Sequence, residues 1–589
     1  MAQKEEYSYT MLAKLLIVFL IVHLLAVITL ILMFSAEHEV ASNTKVPVSS
    51  VWCSGKDVLT RRCYFKNLCY HHKEDVFVFV HGAQSVRQGL PRNRQEALAD
   101  LTGGVEQHGN AKLYFNYVDI PEKAVRKGNL SSTILPDKVV LFKRFKPDNL
   151  MHVVHDDLLP LFFTLNDLEH AGARDYRVFF VDDYGQSEHL DLYRLFRSRT
   201  FPNSHHPLLK STVKAEGLQD SEADLICFGT AAVGAPANTR WYQYGFDRPQ
   251  GPVSNIPLSG QNIRSFVEFV RSGLEIQKYD IDMPRFAVRV RQKYPYAVFF
   301  SRKTNRRIIN EADLIHAISA EFKLRVVSIN FETHSLAEIV HLLENATMLV
   351  SVHGAQLVLS MFLPENAVVV ELFPYAVPAD SYTPYKTLAG ISGVNLIYRA
   401  WENKDSANTV VHPNYKPEYG GIIHLSVEEQ ISINETVPVG PHRCCMDPVF
   451  LYRIYQDTIV DVASFTTVAA GALMERERRI NSTVNATENA EDLVPSAVRN
   501  INCSFLNQSG VFHIDWDVPW NLKYLGNKSV QYSVKIQKMG EPTYTPYYTP
   551  EIHIEIPANE KGTYYVWISS QIDGISGLGH GIPGKCINL

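Results

Sequence analysis

Cysteine is too scarce to hold this fold together: 8 residues in a chain of 589 cannot build the dense disulfide framework of small secreted domains. The three that cluster, Cys53, Cys63 and Cys69, follow a C-x9-C-x5-C spacing that matches no zinc pattern. An excess of charge of one sign is missing too. With 57 basic and 62 acidic residues, the net charge of −5 carries no electrostatic footprint for nucleic acid. A D-x-D directly after an apolar strand, which a metal-bridged diphosphate would call for, is also lacking. Asp280-Ile-Asp282 follows a polar run at 275–278, and Asp515-Trp-Asp517 lies in the β-rich C-terminus. What remains is 46 % hydrophobic, enough for two or three globular domains and too much for a disordered or fibrous chain.

One long apolar run is present. Residues 15–34, LLIVFLIVHLLAVITLILMF, form a 20-residue stretch whose only strongly polar member is His23. At ~1.5 Å per residue it spans ~30 Å, the hydrocarbon thickness of a bilayer. Ala36 alone is a poor cleavage signal, so an uncleaved anchor is expected. Lys14 borders its near side and Glu37 and Glu39 its far side, which places the N-terminus in the cytoplasm and the rest in the lumen. Eight N-x-S/T sequons agree with that side: Asn129, Asn345, Asn434, Asn481, Asn485, Asn502, Asn507 and Asn527. In an oxidising lumen the cysteines are structural disulfides. Cys503 and Cys586 bracket the last domain and are candidates to clasp its ends, whereas Cys444-Cys445 are adjacent and the remaining connectivity stays open.

Past a polar stem, short runs rich in Val and Phe alternate with helical patterns. The strand candidates are 76–80, 113–118, 139–142, 177–181 and 225–228, then 297–300, 325–329, 348–352 and 368–372. Such runs suit strands buried on both faces, as in parallel sheets, so the fold class is α/β with two doubly wound, Rossmann-like halves facing a cleft. Ser335-Leu-Ala-Glu338 reads as a capping box opening a helix, and Asn310 as the cap of another. The chain divides into a cytoplasmic tail (1–14), anchor (15–34), stem (35–50), acceptor-side half (51–250), donor-side half (251–466), polar linker (467–495) and all-β C-terminal domain (496–589). In that last domain Trp516, the strand pattern at 532–536 and Tyr564 suit a small β-sandwich, with Tyr564 in the place of a tyrosine corner.

Three segments carry the chemistry. In 346–375, ATMLVSVHGAQLVLSMFLPENAVVVELFPY, an apolar strand runs into His353-Gly354, a short helical pattern at 356–362, and a second strand containing Glu371. In an open α/β sheet ligands sit beyond the carboxyl ends of such strands. Gly354 would let the backbone approach an anion, His353 could donate to it, and Glu371 stands where a carboxylate could take ribose hydroxyls. In 301–307, SRKTNRR, arginines at a strand's carboxyl end are placed to fork onto a diphosphate. In 144–163, RFKPDNLMHVVHDDLLPLFF, Asp148 or Asn149 could cap a helix on which His152, His155 and Asp156 share a face, with Pro160 bending it. Asp156 or His152 could then deprotonate an acceptor hydroxyl, and a zinc site through the same three residues lacks a fourth ligand nearby. The plain alternatives are a buried structural histidine, a solvated cationic loop and a solvated helix start.

Together, NLMHVVHDDLLPLF, SRKTNRRIINEADL and the 346–375 block resemble the inverting glycosyltransferase family that includes plant β-xylosyltransferases and the EGF-domain-specific O-GlcNAc transferase. WYQYGF (241–246), YTPYKTLA (382–389), RIYQDT (453–458) and PWNLKYL (519–525) extend the resemblance to members that act on O-linked mannose. It implies a GT-B pair of domains, a C-terminal fibronectin type III domain and an endoplasmic reticulum membrane location. It further implies transfer of GlcNAc from UDP-GlcNAc to the 4-hydroxyl of O-linked mannose on acceptors such as α-dystroglycan, with no metal or other cofactor required. By motif, Arg302, Arg306, His353 and Gly354 would hold the diphosphate and Glu371 the ribose. Asn149, His152, Asp156 and Asp157 would face the acceptor, with Asp156 as base. A different protein acceptor for GlcNAc or xylose, and a non-catalytic glycan-binding role, are the alternatives. The oligomeric state is open, a homodimer included.

Overall fold

The structure is a computed structural model that describes residues 47–91, 97–103, 113–127, 130–170, 176–196, 207–217, 223–235, 239–245, 250–253, 256–278, 295–440, 447–482, 495–524, 529–539, 541, 544–558, 560–572, 575–576 and 584–588. The expected anchor, Asp280 and Asp282, Cys444-Cys445 and the sequons at Asn129, Asn485 and Asn527 lie outside the described residues. Among the described residues no helix is long and apolar enough to cross a membrane.

The first α/β unit departs from the expected parallel sheet. Its 9-stranded sheet has a parallel centre, where Ser132–Phe142 lies between Tyr176–Phe180 and Leu225–Val233. Arg62–His71 then runs antiparallel to Leu225–Val233, Ser50–Ser54 and Val76–His81. The reason is local: short connections from Ser54 to Arg62 and from His71 to Val76 allow hairpins, whereas a parallel neighbour needs a long crossover. Two disulfides lock this edge, each joining directly opposed residues: Cys53 to Cys63, and Cys69 to Cys227.

The second unit is the all-parallel sheet that its apolar runs predict. Its order is Arg325–Ile329, Tyr296–Phe300, Met348–Val352, Val368–Phe373 and Ile397–Glu402. Every residue of Met348–Val352 and Val368–Phe373 is buried, because helices cover both faces. Ser335 does form the capping box with Glu338 and opens Leu336–Leu343. Asn310 stands at the start of Glu311–Phe322 without a side-chain cap; its amide is tied instead to both backbone groups of Val460. The stretch expected as a linker from 467 is helical as far as Ser482. It belongs to Val462–Ser482, whose Phe465, Ala469 and Ala472 fall at helical spacing and bury against this sheet. Its outward charges hid that stripe.

The two units share one core. Phe142, Leu150 and Leu159 of the first pack in the same cluster as Phe300, Leu357 and Leu359 of the second. At the C-terminus, Arg499–Leu506, Val511–Asp517 and His553–Pro557 form one antiparallel sheet, and Thr545–Thr549, Val530–Lys538, Gly562–Ile572 and Gly584–Asn588 lie in another. Phe512, Ile514 and Trp516 of the first meet Tyr532, Val534, Val566 and Ile568 of the second in one core. Cys503 and Cys586 are bonded and join the sheets. The Tyr564 hydroxyl donates back to the Glu560 carbonyl at 2.8 Å.

Candidate active site

Three loops leave the carboxyl ends of the second sheet side by side. After Tyr296–Phe300, the Arg302 guanidinium donates to the Asn305 carbonyl at 3.0 Å and to its side chain at 2.6 Å. Its remaining nitrogen reaches Gln356 at 2.9 Å. Arg306 takes a left-handed backbone (φ 53°), lies over the Tyr455 ring at 4.3 Å and donates to the His353 carbonyl at 3.0 Å. Its Nε is buried without a hydrogen-bond partner. No carboxylate pairs with either guanidinium among the described residues, and burial, then the neighbouring Arg306, lowers the Arg302 pKa to about 10. Two like charges held together out of water are costly unless an anion joins them. Gly354 stands directly beside Arg302. A Cβ there would lie 2.7 Å from Gln356 Oε1 and 3.1 Å from Arg302 Nη1, so a side chain would push the guanidinium away. The expected short helix follows as a 3-10 segment, Ala355–Phe362.

Glu371, expected toward a ribose, meets neighbouring side chains. It is fully buried on Val368–Phe373, and both carboxylate oxygens are taken: His353 Nδ1 lies at 2.5 Å and the Tyr398 hydroxyl at 2.6 Å. Its side chain is 0 % exposed, so these two partners and not solvent satisfy it. It is bonded to His353, whose ring packs near Phe373, Tyr382 and Tyr385.

On the first unit, Asn149 rather than Asp148 caps the helix, accepting from the Met151 amide at 3.1 Å. The helix then widens into a π-turn at Val153–Leu158, just before Pro160, which has no N–H to continue a regular ladder. His152, His155 and Asp156 meet there as expected, with a different division of labour. Asp156 Oδ2 binds His152 Nδ1 at 2.7 Å and Oδ1 binds His155 Nδ1 at 2.6 Å. Burial alone would raise this carboxyl, but the two imidazoles hold it well below the usual carboxylate range. A carboxylate with both oxygens engaged and so little proton affinity is a weak base. His155 is closed off as well, since its Nε2 faces the amides of Trp241 and Tyr242 at 3.2 and 3.4 Å and must accept from them. Both ring nitrogens are thus engaged, which removes it from the zinc set. His152 alone of the three keeps exposed side-chain surface, and burial lowers its pKa, so the ring is neutral near pH 7. Asp157, expected toward the acceptor, points the other way. Its carboxyl accepts from the Phe145 amide at 3.1 Å and the Tyr193 hydroxyl at 2.6 Å, and burial raises its pKa well above normal.

The two clusters are tied together by the 241–244 segment. Trp241 packs edge-on against His155 and donates Nε1 to the Pro384 carbonyl at 3.1 Å, beside Tyr385. Tyr244 covers His152, with ring centroids 4.4 Å apart. The Tyr242 hydroxyl accepts from the Thr383 amide at 3.3 Å. Arg144 anchors the segment entering the helix by donating two buried hydrogen bonds to the Asp182 carboxylate. Sequence reasoning left Trp241, Tyr244, Gln356 and Tyr398 without roles. The only available signal was an aromatic cluster at 241–244 that fits no helix or strand stripe.

Of the D-x-D pairs, Asp515 and Asp517 lie on a strand of the terminal sandwich and bond Asn502 and Asn500. Among the described residues no group of three or more His, Cys, Asp or Glu is arranged to hold a metal ion.

Comparison with known proteins adds a family. The glycosyltransferase 61 family model matches residues 150–370, which contain His152, His155 and Asp156 as well as Arg302, Arg306, His353 and Gly354. A relative from Homo sapiens, "Protein O-linked-mannose beta-1,4-N-acetylglucosaminyltransferase 2", is 41 % identical over 527 residues, covering 88 % of this chain and 85 % of the relative. Relatives of the same name from Mus musculus and Xenopus tropicalis are 42 % and 40 % identical over 528 and 523 residues, with the same coverage.

Proposed function

The chain belongs to the glycosyltransferase 61 family, and from that premise we propose that it transfers GlcNAc from UDP-GlcNAc, in β-1,4 linkage and with inversion, to O-linked mannose of glycoproteins such as α-dystroglycan. The names of its relatives support the sugar, the linkage and the acceptor. One structural observation supports the donor above all: Arg302 and Arg306 converge, without a carboxylate partner among the described residues, on the His353-Gly354 turn. Arginine forks suit a diphosphate, and cations fixed in advance stabilise the charge that grows on the leaving UDP.

Inversion needs one in-line displacement and one base. In this reading the mannose 4-hydroxyl attacks the anomeric carbon as the bond to the β-phosphate breaks, and His152 takes the hydroxyl proton. Asp156 holds that ring in orientation and stabilises the imidazolium that forms. Asp156 therefore acts through His152 and not as the base itself. UDP leaves into the field of Arg302, Arg306 and His353, so the reaction calls for no divalent metal.

The same proposal includes the architecture around the site. Two α/β units sharing a core suit a GT-B enzyme with the donor on the second unit. Two packed antiparallel sheets with Tyr564 bonded back to its own chain suit a fibronectin type III domain. The apolar run at 15–34 suits a type II anchor in the endoplasmic reticulum membrane. The test is a transfer assay of the full-length chain with UDP-GlcNAc and an O-mannosyl peptide in EDTA, with the product linkage read by NMR. A β-1,4-linked product is expected. Transfer only to unmannosylated peptide, or only after Mn²⁺ is added, would overturn the reading.

A further inference from the structure

The terminal β-sandwich has an outer sheet face that ought to be wet and is not. In Val530–Lys538, Tyr532, Val534 and Ile536 point into the sandwich core, so Ser533, Lys535 and Gln537 point outward. All three are nonetheless buried. Across the ladder the opposed residues tell the same story: Lys535 pairs with Trp567 and Ser533 with Ser569, and both partners are buried on that face too. Something covers this surface.

The second α/β unit brings charges within electrostatic reach of this face. Asp380 and Glu402 act as the opposite charges on Lys535, with Lys386 opposing them, and the same two carboxylates act on Tyr544, whose ring lies 5.1 Å from the Lys535 ammonium. A lysine that is 7 % exposed is tolerated only because carboxylates answer it. Those carboxylates belong to the wall of the donor site. Asp380 also binds Lys386 at 3.1 Å, and Glu402 accepts from the Ala379 amide at 2.7 Å, so both ends of the 379–386 segment are held. Between them lie Tyr382 and Tyr385, whose rings stand 6.5 and 5.7 Å from His353. Pro384, between the two tyrosines, takes the hydrogen bond from Trp241.

We propose that the terminal β-sandwich is a working part of the donor site, with Lys535 as a positioning residue that acts through Asp380 and Glu402 to hold Tyr382 and Tyr385 against His353. The inference rests on the reading of Arg302, Arg306 and His353 as the diphosphate site.

The experiment measures UDP binding by calorimetry, together with donor and acceptor KM, on the full-length chain carrying Lys535→Met, Lys535→Arg, Asp380→Asn or Arg302→Ala. Lys535→Met is expected to weaken UDP binding about fivefold or more, the lower end of typical coupling between sites. The acceptor KM should stay unchanged, and Lys535→Arg should recover most of the affinity. If Lys535→Met does not fold, Asp380→Asn removes the same pairing from the other side and should show the same donor defect. A folded Lys535→Met or Asp380→Asn with wild-type UDP affinity, or a change in acceptor KM alone, would overturn the inference. Arg302→Ala separates the two levels: if it binds UDP normally, the donor-site reading itself falls.

Discussion

Replacing Glu371 with glutamine separates two roles for one carboxylate. The side chain keeps its size, so packing on the strand Val368–Phe373 is preserved, but its two charged acceptors at 2.5 Å from His353 and 2.6 Å from Tyr398 become one neutral acceptor and one donor. A charged hydrogen bond contributes about 1.5–3 kcal/mol and a neutral one about 0.5–1.5, so the pair loses ~2 kcal/mol. Relief from burying a charge offsets part of this, leaving a stability loss of ~1 kcal/mol. The larger effect falls on His353, whose proton can now move between ring nitrogens. With Arg302 and Arg306 intact, UDP affinity should drop about tenfold, equivalent to ~1.4 kcal/mol. Calorimetry with UDP and 2′-deoxy-UDP decides the matter. If Glu371 orients His353, wild type and Glu371→Gln lose the same factor on removal of the 2′-hydroxyl. A wild type that discriminates between the two nucleotides beside a variant that does not would show that Glu371 grips the ribose, and would refute the reasoning.

His152→Ala should lower kcat by about 10²- to 10⁴-fold, the usual contribution of a general base, while UDP binding by calorimetry stays at the wild-type value. Asp157→Asn tests the inward-facing carboxyl. Because burial raises its folded pKa above the ordinary 3.8, the native state holds the proton more tightly and stability falls as pH rises from that value through the folded pKa. The Asn variant removes this loss, so its melting temperature should exceed that of wild type increasingly as pH rises, with transfer activity retained. Arg144→Met leaves Asp182 buried without its partner and should destabilise the chain by about 3–5 kcal/mol, read from the denaturant midpoint.

The residues proposed to meet a ligand were more legible in the sequence than the residues that orient them. Arg302, Arg306, His353 and Gly354 follow apolar strands, and a strand's carboxyl end is a position that patterning can locate. His152, His155 and Asp156 share a face at helical spacing, which also survives in the letters. Whether a carboxylate faces a cavity or a neighbouring side chain depends on contacts far apart in the chain. Glu371 meets Tyr398, and Asp157 meets Tyr193, through pairings that no local spacing encodes. The same limit explains the first sheet. The strand 62–71 has no long apolar run, and its place is set by ladder partners at 50–54 and 225–233. The helix 462–482 escaped for a simpler reason: the charge run at 475–479 marks its second half as polar, while Phe465, Ala469 and Ala472 carry the packing.

The most direct measurement is a crystal structure of the enzyme with UDP bound. The account predicts diphosphate oxygens within hydrogen-bonding distance of the Arg302 and Arg306 guanidiniums and of His353. A nucleotide ordered elsewhere on the protein, with those three side chains left in their present contacts, would contradict it.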